Sequence, residues 1–562
     1  MKTLIFSLTQ SAKAVIIAFF SFLVINISAI EKPQSFDLQE FIDIEINARK
    51  NPIIIPPGVY KLKPINKGHL YFKNLRNLTL IADSVKVVCS ETTRAITFDN
   101  CENLTLKGLT IDYDPLCFTQ GRIIRMTEDK SEIEIKLDEN YPDDFELRIE
   151  IFDAKTLTLK STTHYGWTDF VKTGKRTYKT TKGPKYKYNP ERDKEEIGDI
   201  LVTNNFYATN GYMPHAVYSN ECRNLKLQNI TLYSSNSFGF FETNGTKNVY
   251  QNCRVERPAP EHDLYIRPQR IRSANADAFH SKYAYIGPQI IACEASFQGD
   301  DCVNICGKYY YSTGASANTI HVISAENFDL RTGASLEILS SKGEKIPSCK
   351  ILKIEEKGLP TADDIKGLTP LKIRDVNKEA LSGAKAKVYC LTVDREINLE
   401  AGALIADKNR MGSGFLVKDC VFGYNRSRGI LIKASDGKVT GNKLEENWKS
   451  AILVSPEAYW LESGCSDNLE ISNNQIIRNK SINSITIDAK STSGELVGPG
   501  LHNNINILNN RFVDCPLPCV TVSVTKGGDI RNNVIESTSD NPSSKWLILD
   551  KCADITTDIT AP

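Results

Sequence analysis

Apolar and polar positions alternate along much of the chain, and the alternation recurs in units. Asn103-Leu104-Thr105-Leu106-Lys107-Gly108-Leu109-Thr110-Ile111 matches Asn224-Leu225-Lys226-Leu227-Gln228-Asn229-Ile230-Thr231-Leu232 at its Asn and at every apolar position. Asn77-Leu78-Thr79-Leu80 begins a related unit. Asn468-Leu469-Glu470-Ile471, with Asn474 and Ile476, matches Asn504-Ile505-Asn506-Ile507 with Asn510 and Phe512. Val417, Cys420 and Phe422 recur as Val439, Asn442 and Leu444, and Asn510 recurs as Asn533. Successive side chains of a strand point to opposite faces, so this pattern predicts strands with one buried face. A strand unit returning every ~20–25 residues is the mark of a solenoid, in which each coil buries its inner face on its neighbours. The predicted fold is all-β: a right-handed parallel β-helix. The recurring Asn fits a turn with left-handed backbone angles, or a ladder from coil to coil. A β-sandwich also has many short strands, but would not ordinarily hold Asn at one phase of a coil-length period.

Two stretches break the period. Residues 122–205 and 308–412 are charged and strand-like, and predict two inserted β-rich subdomains. They either wall a groove or decorate the surface. The expected organisation is a leader at 1–29, an N-terminal cap and first coils at 30–121, further coils at 206–307, and the last coils at 413–562. Ile53-Ile54-Ile55-Pro56-Pro57-Gly58-Val59-Tyr60 predicts a buried strand and turn opening the solenoid.

Charge and composition narrow the function. Lys and Arg number 69 and Asp and Glu 68. This balance offers no basic surface for phosphates and excludes nucleic acid as the expected partner. Lys2, the apolar run from Ala14 to Ile27 and the small Ser28-Ala29 have the form of a cleaved signal peptide, so a secreted or periplasmic location is expected. The alternative is a membrane anchor extended by Leu4 to Leu8, interrupted by Thr9, Gln10, Ser11 and Lys13. No later stretch is long and apolar enough to span a bilayer, and no stable anchor is expected. The 15 cysteines are odd in number and sit largely in strand-like runs, which predicts buried free thiols. None has the paired spacing of a zinc site.

The chemistry concentrates in Asn275-Ala276-Asp277-Ala278-Phe279-His280-Ser281 and Gly299-Asp300-Asp301-Cys302-Val303-Asn304-Ile305. Asp277 and Asp300 are 23 residues apart, one coil of the repeat. Residues one coil apart lie ~5 Å apart along the axis, so three carboxylates converge. Crowded carboxylates raise the pKa of at least one of them. A protonated acid beside an ionised base is what glycoside hydrolysis requires. Which of Asp300 and Asp301 faces a sugar stays open, because consecutive strand residues point to opposite sides. Calcium binding and a solvated acidic turn are the alternatives. The expected substrate contacts are Asn275, His280, Asn304, Arg428, Lys433, Glu457, Trp460 and Glu462. Arg and Lys can hold hydroxyls or orient carboxylates, and Trp460 with Tyr459 either stacks on a sugar or packs in the core.

With these motifs in hand, the sequence resembles glycoside hydrolase family 110, the bacterial exo-acting α-1,3-galactosidases. The resemblance runs through Pro56-Pro57-Gly58-Val59-Tyr60, Ile111-Asp112-Tyr113-Asp114 with Gln120-Gly121, both aspartate motifs, Arg426 to Ile430 and Trp460 to Gly464. It implies an inverting mechanism without metal or cofactor, with Asp300 as general acid and Asp277 and Asp301 handling the water. Cys302, Cys306, Gly307 and Lys433 depart from the family's pattern. The chain is also similar to the polygalacturonases, though their His-Gly motif is missing. A polysaccharide lyase using Lys433 as base, and a non-catalytic carbohydrate-binding solenoid, are the other classes open to it.

Overall fold

The computed structural model describes residues 37–143, 149–161, 167, 170–204, 214–259, 268–325, 328–368, 371–492, 494, 496–536 and 545–558. The expected leader at 1–29 lies outside them. The described residues up to 50 and those from 51 onward form separate compact units. The first contains the helix Leu38–Asn47, capped by the Asp37 side chain accepting from the Glu40 amide, with Leu38 and Ile42 buried. Among the described residues no helix is long and apolar enough to cross a membrane.

The second unit is a right-handed parallel β-helix. Its coils form two parallel sheets, of 11 and 21 strands. The repeat sets the register: Leu227 pairs with Leu106 although 121 residues separate them. One inner column runs Leu80, Leu106, Leu227, Tyr250, Ile290, Val417, Val439, Ile471, Ile507 and Ile530, each beside the next. All ten are buried. At ~1.5–3 kcal/mol for each fully buried large apolar side chain, such columns hold the coils together.

The repeated asparagines divide into two kinds. Asn77, Asn103, Asn224, Asn468 and Asn504 adopt positive φ of 49–56°, the left-handed turn geometry. Buried Asn442, Asn474 and Asn510 form a ladder that ends on half-buried Asn533, each Nδ2 donating to the next Oδ1 at 2.9–3.0 Å. Each accepting Oδ1 also takes the preceding residue's amide, so buried turn amides are satisfied. In earlier coils the ladder position holds Cys253, Cys293 and Cys420, whose sulfurs take over: the Cys253 amide donates to Cys293 Sγ, and the Cys293 amide to Cys420 Sγ, both at 3.4 Å. All 15 cysteines are free.

Two elements differ from expectation. Ile53 is buried but Ile54 is 64% exposed, so the opening strand is buried on one face only. The stretch from Tyr310 to Asp407 is a seven-stranded antiparallel sheet that also contains the helices Ala362–Leu368 and Asp375–Ser382. The first helix begins on a reciprocal cap: Thr361 Oγ1 donates to Asp364 Oδ2, and the Asp364 amide donates back to Thr361 Oγ1. Seven and eight residues are too few for a helical period to stand out. The other interruption, from Phe118 to Asn204, is likewise seven antiparallel strands.

Candidate active site

Four neighbouring strands of the 11-stranded sheet carry the site: Phe279–Lys282, Val303–Cys306, Ile430–Ile432 and Ile452–Val454. Phe279 pairs with Val303, and Val303 with Ile430. The residues two positions before these are Asp277, Asp301 and Arg428. They form one column on the rim of the sheet. The true coil step is 24 residues, 279 to 303, so Asp277 aligns with Asp301 rather than with Asp300. Inside the strands, His280 pairs with Asn304 and Asn304 with Leu431.

One oxygen from each of Asp277, Asp300 and Asp301 lies within 4.8 Å of the others. This is closer than the ~6.5–9.5 Å usual between acid and base in inverting glycosidases, the wider spacing that goes with the inverting mechanism implied by the resemblance. The three are not equivalent. Asp277 and Asp301 are buried, whereas the Asp300 side chain is 31% exposed. Asp301 accepts the Arg428 amide at 2.8 Å and pairs with its guanidinium at 2.9 Å. Its amide donates to Asp277 Oδ1 at 3.3 Å. Arg426 pairs with Asp300 at 2.6 Å and donates from Nε to the Gly299 carbonyl.

Electrostatics separates them further. Burial, the nearby Asp300 and then Glu462 push the Asp277 carboxyl well above the usual range. Burial, partly offset by Arg428 but helped by Asp300 and Asp277, pushes Asp301 up to about 7. The cluster therefore retains a proton near neutrality, shared between coupled groups. His280 is driven down to about 4 by burial and is neutral. Its Nδ1 lies 2.8 Å from Asp277 Oδ2 and its Nε2 3.8 Å from Cys306 Sγ. A neutral imidazole donates from one nitrogen and accepts at the other, so Nδ1–H to Asp277 and the thiol to Nε2 fit both contacts.

Lys433 is wholly buried. It reaches Glu462 at 2.7 Å, Glu457 at 2.9 Å and Asn304 Oδ1 at 3.2 Å. Burial opposes the charge on Glu462, yet Lys433 and then Lys282 hold that carboxyl well below its usual range. Asn304 also donates to Glu462 at 3.4 Å. Glu457, less buried, touches Arg428 at 3.4 Å.

The structure connects seven of the eight expected contact residues to the aspartates through contacts of different kinds, while Trp460 stands against Tyr459 and Arg374. Asn275 has no exposed surface; its Nδ2 donates to the Cys117 carbonyl at 2.8 Å and its Oδ1 accepts from Arg272 at 3.3 Å. With Lys433 it supports the site from below, so a direct sugar contact for these two is corrected to a supporting one. His280 and Asn304 are nearly buried and hold Asp277 and Glu462. Glu457 and Glu462 are partly accessible, at 19% and 12% of their side chains. Trp460 and Tyr459 are 44% and 51% exposed, which removes the core-packing alternative for them. Glu150 was not visible beforehand. It comes from the first antiparallel sheet, is buried, and sits between Arg426, 3.2 Å away, and Arg272. Nothing in its local run, Ile149-Glu150-Ile151-Phe152, signals this partner 276 residues later.

Residues 372–541 match the family model of the right-handed β-helix region. The chain is 25% identical over 477 residues to alpha-1,3-galactosidase B of Bacteroides thetaiotaomicron, covering 78% of this chain and 70% of that protein. Among solved structures it is similar to the A-module of mannuronan C-5 epimerase AlgE4 of Azotobacter vinelandii, with 11% identity, 93% of each chain covered and a TM-score of 0.38. It is also similar to the catalytic domain of a GH87 alpha-1,3-glucanase solved with nigerose, with 10% identity, 94% of this chain and 65% of that chain covered and a TM-score of 0.38. The chain is a right-handed parallel β-helix protein related to a bacterial α-1,3-galactosidase, the relationship its motifs pointed to.

Proposed function

We propose that this glycosidase removes terminal α-1,3-linked galactose from an oligo- or polysaccharide, is secreted, and acts by inversion. The observation that carries the catalytic part is the convergence of Asp277, Asp300 and Asp301, with the carboxyls of two of them raised by burial. Such a cluster can give a proton to a leaving oxygen and take one from water. Asp300 is the member that reaches solvent, so it is the outlet for the shared proton, and Asp277 and Asp301 hold the water. Arg426 fixes Asp300, and Arg428 fixes Asp301. With the oxygens this close, water and glycosidic oxygen both lie over one patch of the sheet.

Lys433 favours a neutral sugar over a uronate. In a polygalacturonase-like or lyase reading, a lysine here would meet a sugar carboxylate or abstract a proton. Here two protein carboxylates already occupy the buried ammonium, and their field holds its pKa up against burial. The partly accessible Glu457 and Glu462 then present acceptors to hydroxyls.

The test is a panel of aryl α-galactosides, an α-1,3-linked galactose disaccharide and polygalacturonate, with product anomers followed by NMR. Galactose released first as the β-anomer supports the proposal. Release as the α-anomer overturns inversion. Unsaturated uronate products, seen by their ultraviolet absorbance, overturn the hydrolase reading.

A further inference from the structure

A cavity of about 320 Å³ lies on the later coils, with Glu457 in its wall. Three parts of the chain build it: Leu453, Ser455 and Glu457 from one coil, Asp488 and Lys490 from the next, and Lys372 from the second inserted subdomain. It is linked to the cluster through one pair of contacts. Glu457 lines the cavity and also touches Arg428, whose guanidinium holds Asp301.

Its lining has the character of a sugar site. Small-molecule sites of roughly 300–1,000 Å³ combine an apolar wall with a few polar groups. Leu453, Pro456 and Tyr459 are the apolar and aromatic members of the lining. Tyr459 is exposed but not loose: its carbonyl accepts the Arg374 amide at 3.1 Å, and its ring meets Trp460 edge-on at 5.4 Å. An aromatic ring with a polar tip suits the apolar face and hydroxyl edge of a sugar. Among the described residues, no hydrogen bond or ion pair engages the Asp488 carboxylate or the Lys372 and Lys490 ammoniums. The Lys372 amide donates to the Thr492 carbonyl at 3.0 Å, and its side chain lies over Gly494, where a Cβ would come 3.1 Å from Cδ. The lining carries two lysines and two acids, so it offers both donors and acceptors to sugar hydroxyls.

We propose that this cavity is a second sugar subsite, binding the neutral residue next to the one whose bond is cleaved. The inference rests on the glycosidase reading above, and gives the second inserted subdomain a part in selecting the substrate. The experiment compares an α-1,3-galactose-capped trisaccharide with 4-nitrophenyl α-galactoside in Lys372→Ala, Asp488→Ala and Tyr459→Ala. The ratio of kcat/KM, trisaccharide over aryl glycoside, should fall about tenfold in at least two of the three. An unchanged ratio overturns the subsite, whether both rates hold or both fall together. In parallel, calorimetry with the Asp301→Asn protein should give a trisaccharide Kd at least tenfold tighter than that of galactose, an advantage lost on adding Lys372→Ala. Equal affinity for mono- and trisaccharide overturns the subsite. If wild type cleaves no galactoside yet the trisaccharide binds more tightly, the galactosidase proposal fails and the subsite stands.

Discussion

Asp277 and Asp301 occupy the same position on successive coils, joined by the Asp301 amide that donates to Asp277 Oδ1 at 3.3 Å. The backbone register of the β-helix thus fixes the separation of two carboxyl groups. Asp300, one residue earlier, is held by Arg426. Replacing any one by Asn keeps shape while removing the ionisable group. Asp277→Asn, Asp300→Asn and Asp301→Asn should each lower kcat by about a hundredfold or more, with unchanged circular dichroism. Asp300→Asn should lose least on aryl glycosides with a good leaving group. Near-normal rates in all three would remove the cluster from the chemistry.

The raised carboxyls also tie stability to pH. An unfolded Asp titrates near ~3.9, whereas Asp301 titrates at about 7 in the fold and Asp277 is raised as well. Between these values the folded state binds more protons than the unfolded state. Stability from the cluster is therefore complete below pH ~4 and is lost as pH rises through about 7. Denaturant titrations at pH 5 and pH 8 should show wild type losing more stability over that interval than Asp301→Asn. An equal loss would mean that Asp301 is not held protonated.

Lys433 neutralises two carboxylates without any exposed surface of its own. Removing one partner of a buried charge group costs about 3–5 kcal/mol, because the other charges stay buried and unpaired. Lys433→Met should destabilise the protein by that order in urea, and adding Glu462→Gln should recover part of the loss. A merely surface-like effect, below about 1 kcal/mol, would contradict the burial of this network.

Calcium or another divalent ion would have to displace guanidinium groups already on Asp300 and Asp301. Rates should therefore be the same before and after EDTA treatment. Loss on chelation, restored by calcium, would turn the aspartates into metal ligands.

The fold was legible because a solenoid writes its register into the chain: Asn103 to Asn224 and Val417 to Val439 are spacings that the paired strands reproduce. The aspartates were legible for the same reason, although a count of 23 gave Asp300 the place that the register gives Asp301. What the sequence hid is what depends on direction and on distant partners. Whether Lys433 points into the groove or beneath it is decided by Glu457 and Glu462, which follow an intervening coil. The short helices at 362–368 and 375–382 depend on packing within their subdomain, and a local pattern of seven or eight residues does not carry it.

Glu150 is the sharpest case of a distant partner and gives the last prediction. It is buried on a strand of the first inserted subdomain and lies 3.2 Å from Arg426 Nε, while its other oxygen takes Arg272. Arg272 in turn reaches Asn204 and Asn275. Asp300 is thus oriented through Arg426 by a carboxylate outside the coils. Glu150→Ala removes the carboxylate on Arg272 and one of the two on Arg426, and frees Arg426 to shift. It should lower kcat on aryl glycosides about tenfold and leave KM within twofold, because buried Glu150 acts through Arg426 on Asp300, the proposed acid. Glu150→Gln, which keeps the shape and one acceptor, should recover part of the rate. Since a structural defect alone would lower the active fraction without altering the pH profile, that profile is the deciding readout: the limb set by the aspartate cluster should move in Glu150→Ala and return toward wild type in Glu150→Gln. An unmoved limb in both would mean that the first inserted subdomain supports the fold but not the positioning of Asp300.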